Sequence, residues 1–507
     1  MKFKCKQFIA AMLLVIALTL GSFTGCHDNS ANSQGEELFE QAQSYESQNN
    51  FNQAAELYKL ALPLLLEDNR LELANKCSEA AERLTLFRMI YPYTSEQMKT
   101  VLTETYPQVS SVQIDDWIKS GDLEHYSWDG CDHYFEDAAS NLIYSNLELM
   151  HADAVKQKSY QDLVLNIIAS AEEEVTADWQ QYQKPVTYLG THKVSIPRAE
   201  LPATGIYHLW FPLPINNGPQ TQVVIESISP DIYVKQPPSI DQNIGLLYME
   251  VPLEKLQEDL NIQVKFTFTH FEQRFTVDPD NIGEYDKQSL LYQKYTLSNG
   301  NTEITPEIRE TAQNIAGDEK NPYIVARKLY DYIVNNIDYA FMPHLVMWPR
   351  TSQTESDYVQ KNQRGDCGAQ SMYFTAMCRS LGIPARTTGG WQLFSGNFSG
   401  HFWAEFYLPY YGWIPVDTSA AQLCFYPKDL TAGQRQIFID YYFANQDSMR
   451  CVVQNDTDEP LIPPAERMVL LPLAIQMPAV QYSSPTTDIP AEILLKYWTM
   501  DCEQIRP

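Results

Sequence analysis

The chain is poor in basic residues, with 36 Lys and Arg against 64 Asp and Glu, a net charge of −28 over 507 residues. Nucleic-acid binding wants a basic footprint, so that class is excluded. Otherwise the acidity bears on solubility rather than on fold or substrate. No C-x-x-C occurs among the nine cysteines, and Cys131-Asp132-His133 has no second ligand pair at metal spacing. A zinc site is thereby excluded, and no metal or cofactor is expected. The apolar run Phe8–Leu20 is too short for a comfortable membrane span. What is present is ordinary globular material, 44% hydrophobic and 12% aromatic, enough for a core. The length leaves room for about three or four domains.

That short apolar run follows Lys2, Lys4 and Lys6 and closes on Phe23-Thr24-Gly25-Cys26, before a polar stretch from His27. This is the order of an export signal. Small residues before the Cys resemble a bacterial lipobox, with Phe23 in place of the usual aliphatic residue. Residues 1–26 therefore read as a signal peptide and Cys26 as the lipidated first residue of an exported, envelope-located chain held to the membrane by a lipid anchor. A simple cleaved signal and an uncleaved anchor are the alternatives. Seven scattered cysteines remain, an odd count consistent with one free reactive thiol.

Residues 27–184 read as a helical region. Leu38, Ala42, Tyr45, Ala54, Tyr58 and Ala61 stand where a tetratricopeptide repeat puts its packing residues, giving one such hairpin at 36–65. With no second clear copy, a docked helical hairpin fits equally, and the region could carry contacts to envelope proteins. Tyr134-Phe135 to Leu149 reads as a further helix, with Trp117 and Trp128 as core anchors. From about Pro185 the period changes. Ile262, Val264, Phe266 and Phe268 alternate with polar residues, the mark of a sheet with one buried face. Ile206–Phe211, Val223–Ile228 and Leu246–Val251 add strands, and 185–280 reads as a small β-sandwich. Helix resumes at Thr305-Pro306, a cap followed by Pro in the first turn. After residue 417, Tyr441-Tyr442-Phe443, Val452-Val453 and apolar strands to Tyr482 read as extending the sheet of the domain at 300–455, with a C-terminal β extension over 456–507.

Within 300–455 three segments carry chemistry. Asp366 can cap a helix whose apolar residues recur as Ala369, Met372, Tyr373, Ala376, Met377 and Leu381, and which Gly382 and Pro384 end. Cys367 then lies in the first turn, where free N–H groups and the helix dipole favour a thiolate, and Gly368 leaves room for a substrate backbone. His401 opens an alternating run with Trp403, Glu405 and Tyr407 on its face. A second run after Gly412 carries Trp413, Pro415 and Asp417 on one face. A three-residue loop, Pro409-Tyr410-Tyr411, pairs Asp417 with Trp403 and sets it diagonal to His401, about 7–8 Å apart between Cα atoms. A loop of even length would turn Asp417 to the wrong face. A thiol needs a base, and the base needs an orienting carboxylate.

Gly365-Asp366-Cys367-Gly368, Leu381-Gly382-Ile383-Pro384-Ala385-Arg386, His401-Phe402-Trp403-Ala404-Glu405 and Gly412-Trp413-Ile414-Pro415-Val416-Asp417 together resemble the transglutaminase-like superfamily, papain-like cysteine enzymes, over about 300–450. The resemblance implies Cys367 as nucleophile, His401 as general base and acid, and Asp417 as the orienting residue. Phe402 replaces the usual Ala and is expected to point away from the site. The Cys367 N–H is the natural first oxyanion donor, with Trp348, Gln360 and Gln363 as candidates for the second. Trp391, Trp403 and Trp413 could form a groove for an extended protein or peptide substrate. The expected fold is α+β and multidomain, with a helical region, a β-sandwich and a transglutaminase-like domain followed by C-terminal strands. The expected function is a peptidase, amidase or protein-crosslinking acyltransferase acting through a thioester, with a noncatalytic binding module bearing an idle triad as the alternative.

Overall fold

The computed structural model describes residues 33–173, 181–344, 353–395, 397–465, 476–483 and 491–506, which divide into two units, Met1–Ala139 and Ser140–Pro507. The signal segment with Cys26, and Trp348, lie outside the described residues. The fold is mixed α and β, with helices at the N-terminus and several sheets beyond.

In the first unit Ser33 caps α1 (Gln34–Ser47) through a capping box with Glu36. Phe39 of α1 meets Tyr58 of α2 (Phe51–Glu67) at 5.8 Å between rings. Ala42, Ala54, Tyr58 and Ala61 are buried, whereas Tyr45 is exposed and Leu38 half-buried; Phe39, one residue on from Leu38, carries the contact instead. The Tyr58 hydroxyl donates to Glu46, which also pairs with Arg83 of α3 (Leu71–Ile90). After β1 (Tyr93–Thr94), α4 (Ser95–Thr105) and α5 (Ser111–Ser120), β2 (His125–Trp128) and β3 (Cys131–Tyr134) form a hairpin, in a sheet of order β1-β3-β2. Its turn is Asp129-Gly130, both at positive φ, the dipeptide that matches strand twist in a two-residue loop. Tyr134 therefore closes a strand and does not begin a helix. Trp128 is buried 5.6 Å from Phe51, while Trp117 is only half-buried. The single helical region 27–184 is thus corrected on two counts, by this hairpin and by the boundary after Ala139.

α6 (Ala138–Ser145) carries the chain into the second unit, followed by α7 (Leu147–Ala152) and α8 (Ala154–Ala171). Five strands come next: β4 (Tyr182–Ile196), β5 (Ile206–Pro212), β6 (Gln220–Ser229), β7 (Leu246–Pro252) and β8 (Leu260–Arg274). β8 lies between β4 and β6, and Ile262, Val264, Phe266 and Phe268 all point inward. β5 and β7 pair in a second sheet. His192 of β4 ties the two sheets, its Nε2 2.8 Å from the Pro212 carbonyl oxygen and its ring 6.0 Å from Phe211.

Then come α9 (Leu290–Tyr295), α10 (Pro306–Ala316), α11 (Pro322–Asn336), β9 (Asp338–Tyr339), α12 (Glu355–Asn362), β10 (Arg364–Gly365) and α13 (Cys367–Ser380). Thr305 and Asn321 cap α10 and α11, each with Pro in the first turn. β11 (Ala385–Phe394), β12 (Asn397–Leu408) and β13 (Gly412–Val416) follow, then α14 (Thr418–Gln422), α15 (Ala432–Tyr441), β14 (Asn445–Gln446) and β15 (Arg450–Gln454). The antiparallel sheet β13-β12-β11-β15 backs α13. α13 is buried on every side from Gly368 to Ser380, not along one stripe, as befits a helix in the centre of a core. Its polar residues are satisfied inside. Thr375 bonds Thr387, and Arg379 donates to the Ala385 carbonyl and pairs with Asp456 at 2.7 Å.

β15 joins this sheet; Tyr441 ends α15, and Phe443 adds a single antiparallel bridge to Val416 of β13 without forming a longer strand. The chain closes with β16 (Ala479–Ser483), α16 (Ala491–Tyr497) and β17 (Trp498–Arg506). β14 pairs with β8, β16 with β5 and β17 with β4. Residues beyond 456 therefore complete the two sheets begun at 182–274 and do not extend the sheet behind α13. These strands gain ready-made edges whose N–H and C=O groups would otherwise be unpaired. All seven described cysteines are free thiols, and among the described residues no helix is long and apolar enough to cross a membrane.

β11 and β15 approach closely at Gly390, where the ladder carries a register shift. A Cβ at Gly390 would stand 1.8 Å from the Cys451 carbonyl oxygen, with no flexible side chain to yield. Gly390→Ala is expected to cost about 1–3 kcal/mol or more, read by chemical denaturation. A neutral substitution would contradict the close approach.

Candidate active site

β12 and β13 fix the register on which the site depends. Leu408 faces Gly412 and Ala404 faces Val416, so three residues form the loop and Asp417 follows directly in line with Trp403. His401 Nε2 lies 2.8 Å from Asp417 Oδ2, and both side chains are buried. The other Asp417 oxygen caps α14, accepting from the Ala420 N–H at 2.9 Å and the Ser419 hydroxyl at 3.3 Å. One carboxylate thus starts a helix and holds the imidazole. With Nε2–H donated to Asp417, Nδ1 is the nitrogen left to take a proton.

Arg450 of β15 supplies the charge that lets Asp417 stay ionised in the interior. Its Nη1 is 3.0 Å from Asp417 Oδ2 and its Nη2 2.8 Å from Asp447 Oδ2. Its guanidinium lies 4.9 Å from the Phe394 ring centre and 5.7 Å from that of Trp403. Burial pushes the Asp417 carboxyl up, but His401, Arg450 and the Ala420 N–H outweigh it and hold it below the usual carboxylate range.

Cys367 is the first residue of α13, beneath the Asp366 cap, whose Oδ1 accepts from the Gly368 and Ala369 N–H groups at 3.0 and 3.1 Å. Cys367 and His401 line one cavity of about 270 Å³. Burial and the adjacent Asp366 carboxylate push the thiol well above its ordinary range, against hydrogen bonds from the Phe402 and Gly368 backbones. The cap that starts the helix therefore opposes the field the helix provides.

Phe402 does not point away from the site. It lines the cavity and packs on Met372 and Cys367. Its ring stands 3.1 Å from where a Cβ on Gly368 would lie, so the space beside Gly368 holds Phe402 and not a substrate backbone. The three tryptophans do not line the cavity either. Trp403 is buried among Ile215, Val452 and Arg450. Trp391 is buried 5.8 Å from the His192 ring. Trp413 lines a separate cavity with Arg386 and packs on Tyr295. The aromatic wall beside Cys367 is instead Tyr144, Tyr160, Tyr339, Phe341 and Tyr426. Gln360 accepts from Tyr373, Gln363 ends α12, and neither reaches the cavity.

Sequence reasoning missed Arg450, the aromatic wall and His344, which lines the same cavity between Glu355 and Asp366. None sits in a motif. A larger cavity of about 710 Å³, bordered by Tyr285, Tyr292 and Lys320, carries no Cys, Ser or His. Among the described residues no group of three or more His, Cys, Asp or Glu could hold a metal ion.

Arg450→Met would strand Asp417 and Asp447 as buried carboxylates without a cation. Removing one partner of a buried pair costs about 3–5 kcal/mol, so denaturation midpoints should fall sharply. A loss below about 1 kcal/mol would show that Arg450 does not balance Asp417.

A curated relative from Haemophilus influenzae, described only as an uncharacterized protein, is 25% identical over 181 residues, 31% of this chain and 48% of its own. The chain thus spans about half the length of the curated relative it matches. Among solved structures, a candidate cysteine protease from Cytophaga hutchinsonii aligns with a TM-score of 0.37 at 12% identity, over 64% of this chain and 93% of that one. The periplasmic domain of TgpA from Pseudomonas aeruginosa aligns at 0.24 and 16% identity, over 48% and 98%. Residues 309–418, from α10 to the start of α14 and including Cys367, His401 and Asp417, match the Transglutaminase-like superfamily, and the chain therefore carries a transglutaminase-like domain.

Proposed function

We propose that the protein is an exported cysteine enzyme that cleaves or transfers amide bonds of protein or peptide substrates through a thioester on Cys367. The observation that carries this reading is the 2.8 Å bond from Asp417 to Nε2 of His401, an imidazole that lines one cavity with Cys367. His401 Nδ1 takes the thiol proton as Cys367 Sγ attacks the amide carbon, and Asp417 stabilises the imidazolium that forms. His401 then returns the proton to the leaving amine. Water or a second amine resolves the thioester, giving hydrolysis or crosslinking. The aromatic wall favours a substrate that presents an apolar or aromatic side chain next to the scissile bond.

Iodoacetamide with peptide mapping tests the thiol. Cys378 lies inside the same helix, fully buried, pushed up by desolvation and without a base. Cys367 should be alkylated while Cys378 is spared, and His401→Ala should slow Cys367 at least about tenfold. Equal, slow labelling of both thiols would favour a noncatalytic binding module. Export and lipidation rest on the sequence from Lys2 to Cys26. Labelled palmitate should mark the protein in cells, and Cys26→Ala should abolish the label; label persisting in that variant would remove the anchor from the account.

A further inference from the structure

Beside the nucleophile lies a second imidazole that the proposed mechanism does not use. His344 follows β9 and is held from both sides. Its Nδ1 is 2.9 Å from Glu355 Oε1 in the first turn of α12, and its Nε2 contacts Asp366 Oδ2 at the cap of α13. An imidazole with a carboxylate on each nitrogen donates two N–H bonds only as the cation. Glu355 is fully buried and its other oxygen has no partner, so His344 is the group that balances it. Asp366 is spoken for twice, its Oδ1 by the Gly368 and Ala369 N–H groups and its Oδ2 by His344.

We propose that His344 is a positioning residue for Cys367: bridging Glu355 and Asp366, it holds a positive charge against the helix-capping carboxylate and limits how far that carboxylate opposes thiolate formation. This rests on the reading of Cys367 as the nucleophile. The ionisable groups around the cluster are Glu355 from α12, Asp366 and Cys367 from the start of α13, Tyr339 from β9, and Asp458, which acts on Glu355. His401 of β12 lines the same cavity, and Asp417, which caps α14, lies behind it on His401 Nε2. Two carboxylates against one imidazolium leave a single net negative charge near the sulfur; loss of the imidazolium leaves two. Burial disfavours the imidazolium, but Asp366 and Glu355 hold it well above the ordinary histidine range, in line with that arrangement.

The test is the pH profile of Cys367 alkylation by iodoacetamide, read by peptide mapping on the full chain. H344Q keeps a hydrogen-bond donor without the charge and should move the midpoint up by about one pH unit, and H344K should recover part of the shift. In H344Q/D366N the capping carboxylate is gone, one net negative charge remains as in the parent, and Asn still caps α13, so the midpoint should return close to that of the parent protein. If H344Q alone fails to fold, recovery of the fold and of the midpoint in H344Q/D366N supports the proposal, and failure to recover overturns it. A His401-dependent Cys367 whose profile is unmoved by H344Q would overturn this inference and leave the proposed function standing. A Cys367 that labels no faster than Cys378 at any pH would overturn both.

Discussion

A buried carboxylate shared between an imidazole and a guanidinium is the constraint on which the site depends. Asp417 cannot remain ionised in the interior without compensation, and it receives it from His401, Arg450 and the Ala420 N–H of α14. Each partner comes from a different part of the chain. His401 comes from β12 and Arg450 from β15, which is joined to β12 only through β11. The ion cluster therefore ties the edges of the sheet together, and the imidazole is oriented because the sheet is assembled. Stability and chemistry are coupled here through one side chain.

The same logic governs the Cys367 thiol. A helix N-terminus favours an anion, but a helix that begins inside a core needs a cap, and Asp366 brings a negative charge to the place where the thiolate must form. The result is a thiol that burial and the Asp366 carboxylate push up from its ordinary range. The surroundings of Asp366 thus matter to reactivity as much as the dipole does. The imidazole held by Asp417 lines the same cavity as this thiol.

The Cys, His and Asp were legible because each had a local signature whose physics is short-range. A cap followed by Cys, an alternating run opened by His and a three-residue loop suffice to set the parity of Asp417. Arg450 and His344 were not legible, because their roles arise from partners 33 and 22 residues away in sequence, Asp417 and Asp366. The tryptophans misled for a related reason. Alternation places Trp403 on the His401 face, but not whether Ile215 and Val452 will bury it. Phe402 misled because period-2 reasoning assigns faces and cannot see that α13 packs on the face opposite His401, with its Gly368 against that ring. The C-terminal strands read as strands, but the sheet edge each would choose depends on contacts across some 300 residues, such as Met500 with His192.

The central claim is that Asp417 holds His401 in the tautomer that accepts the Cys367 proton. It is tested most directly by turnover of a fluorogenic peptide library carrying aromatic residues. The parent protein, Asp417→Asn and Cys367→Ala would be compared after each is shown to be folded. Asn keeps the shape but presents an N–H to the ring and removes the charge. The account predicts no turnover for Cys367→Ala, and for Asp417→Asn a residual activity reduced at least about tenfold in kcat. Full kcat/KM in Asp417→Asn would contradict it and remove Asp417 from the chemistry.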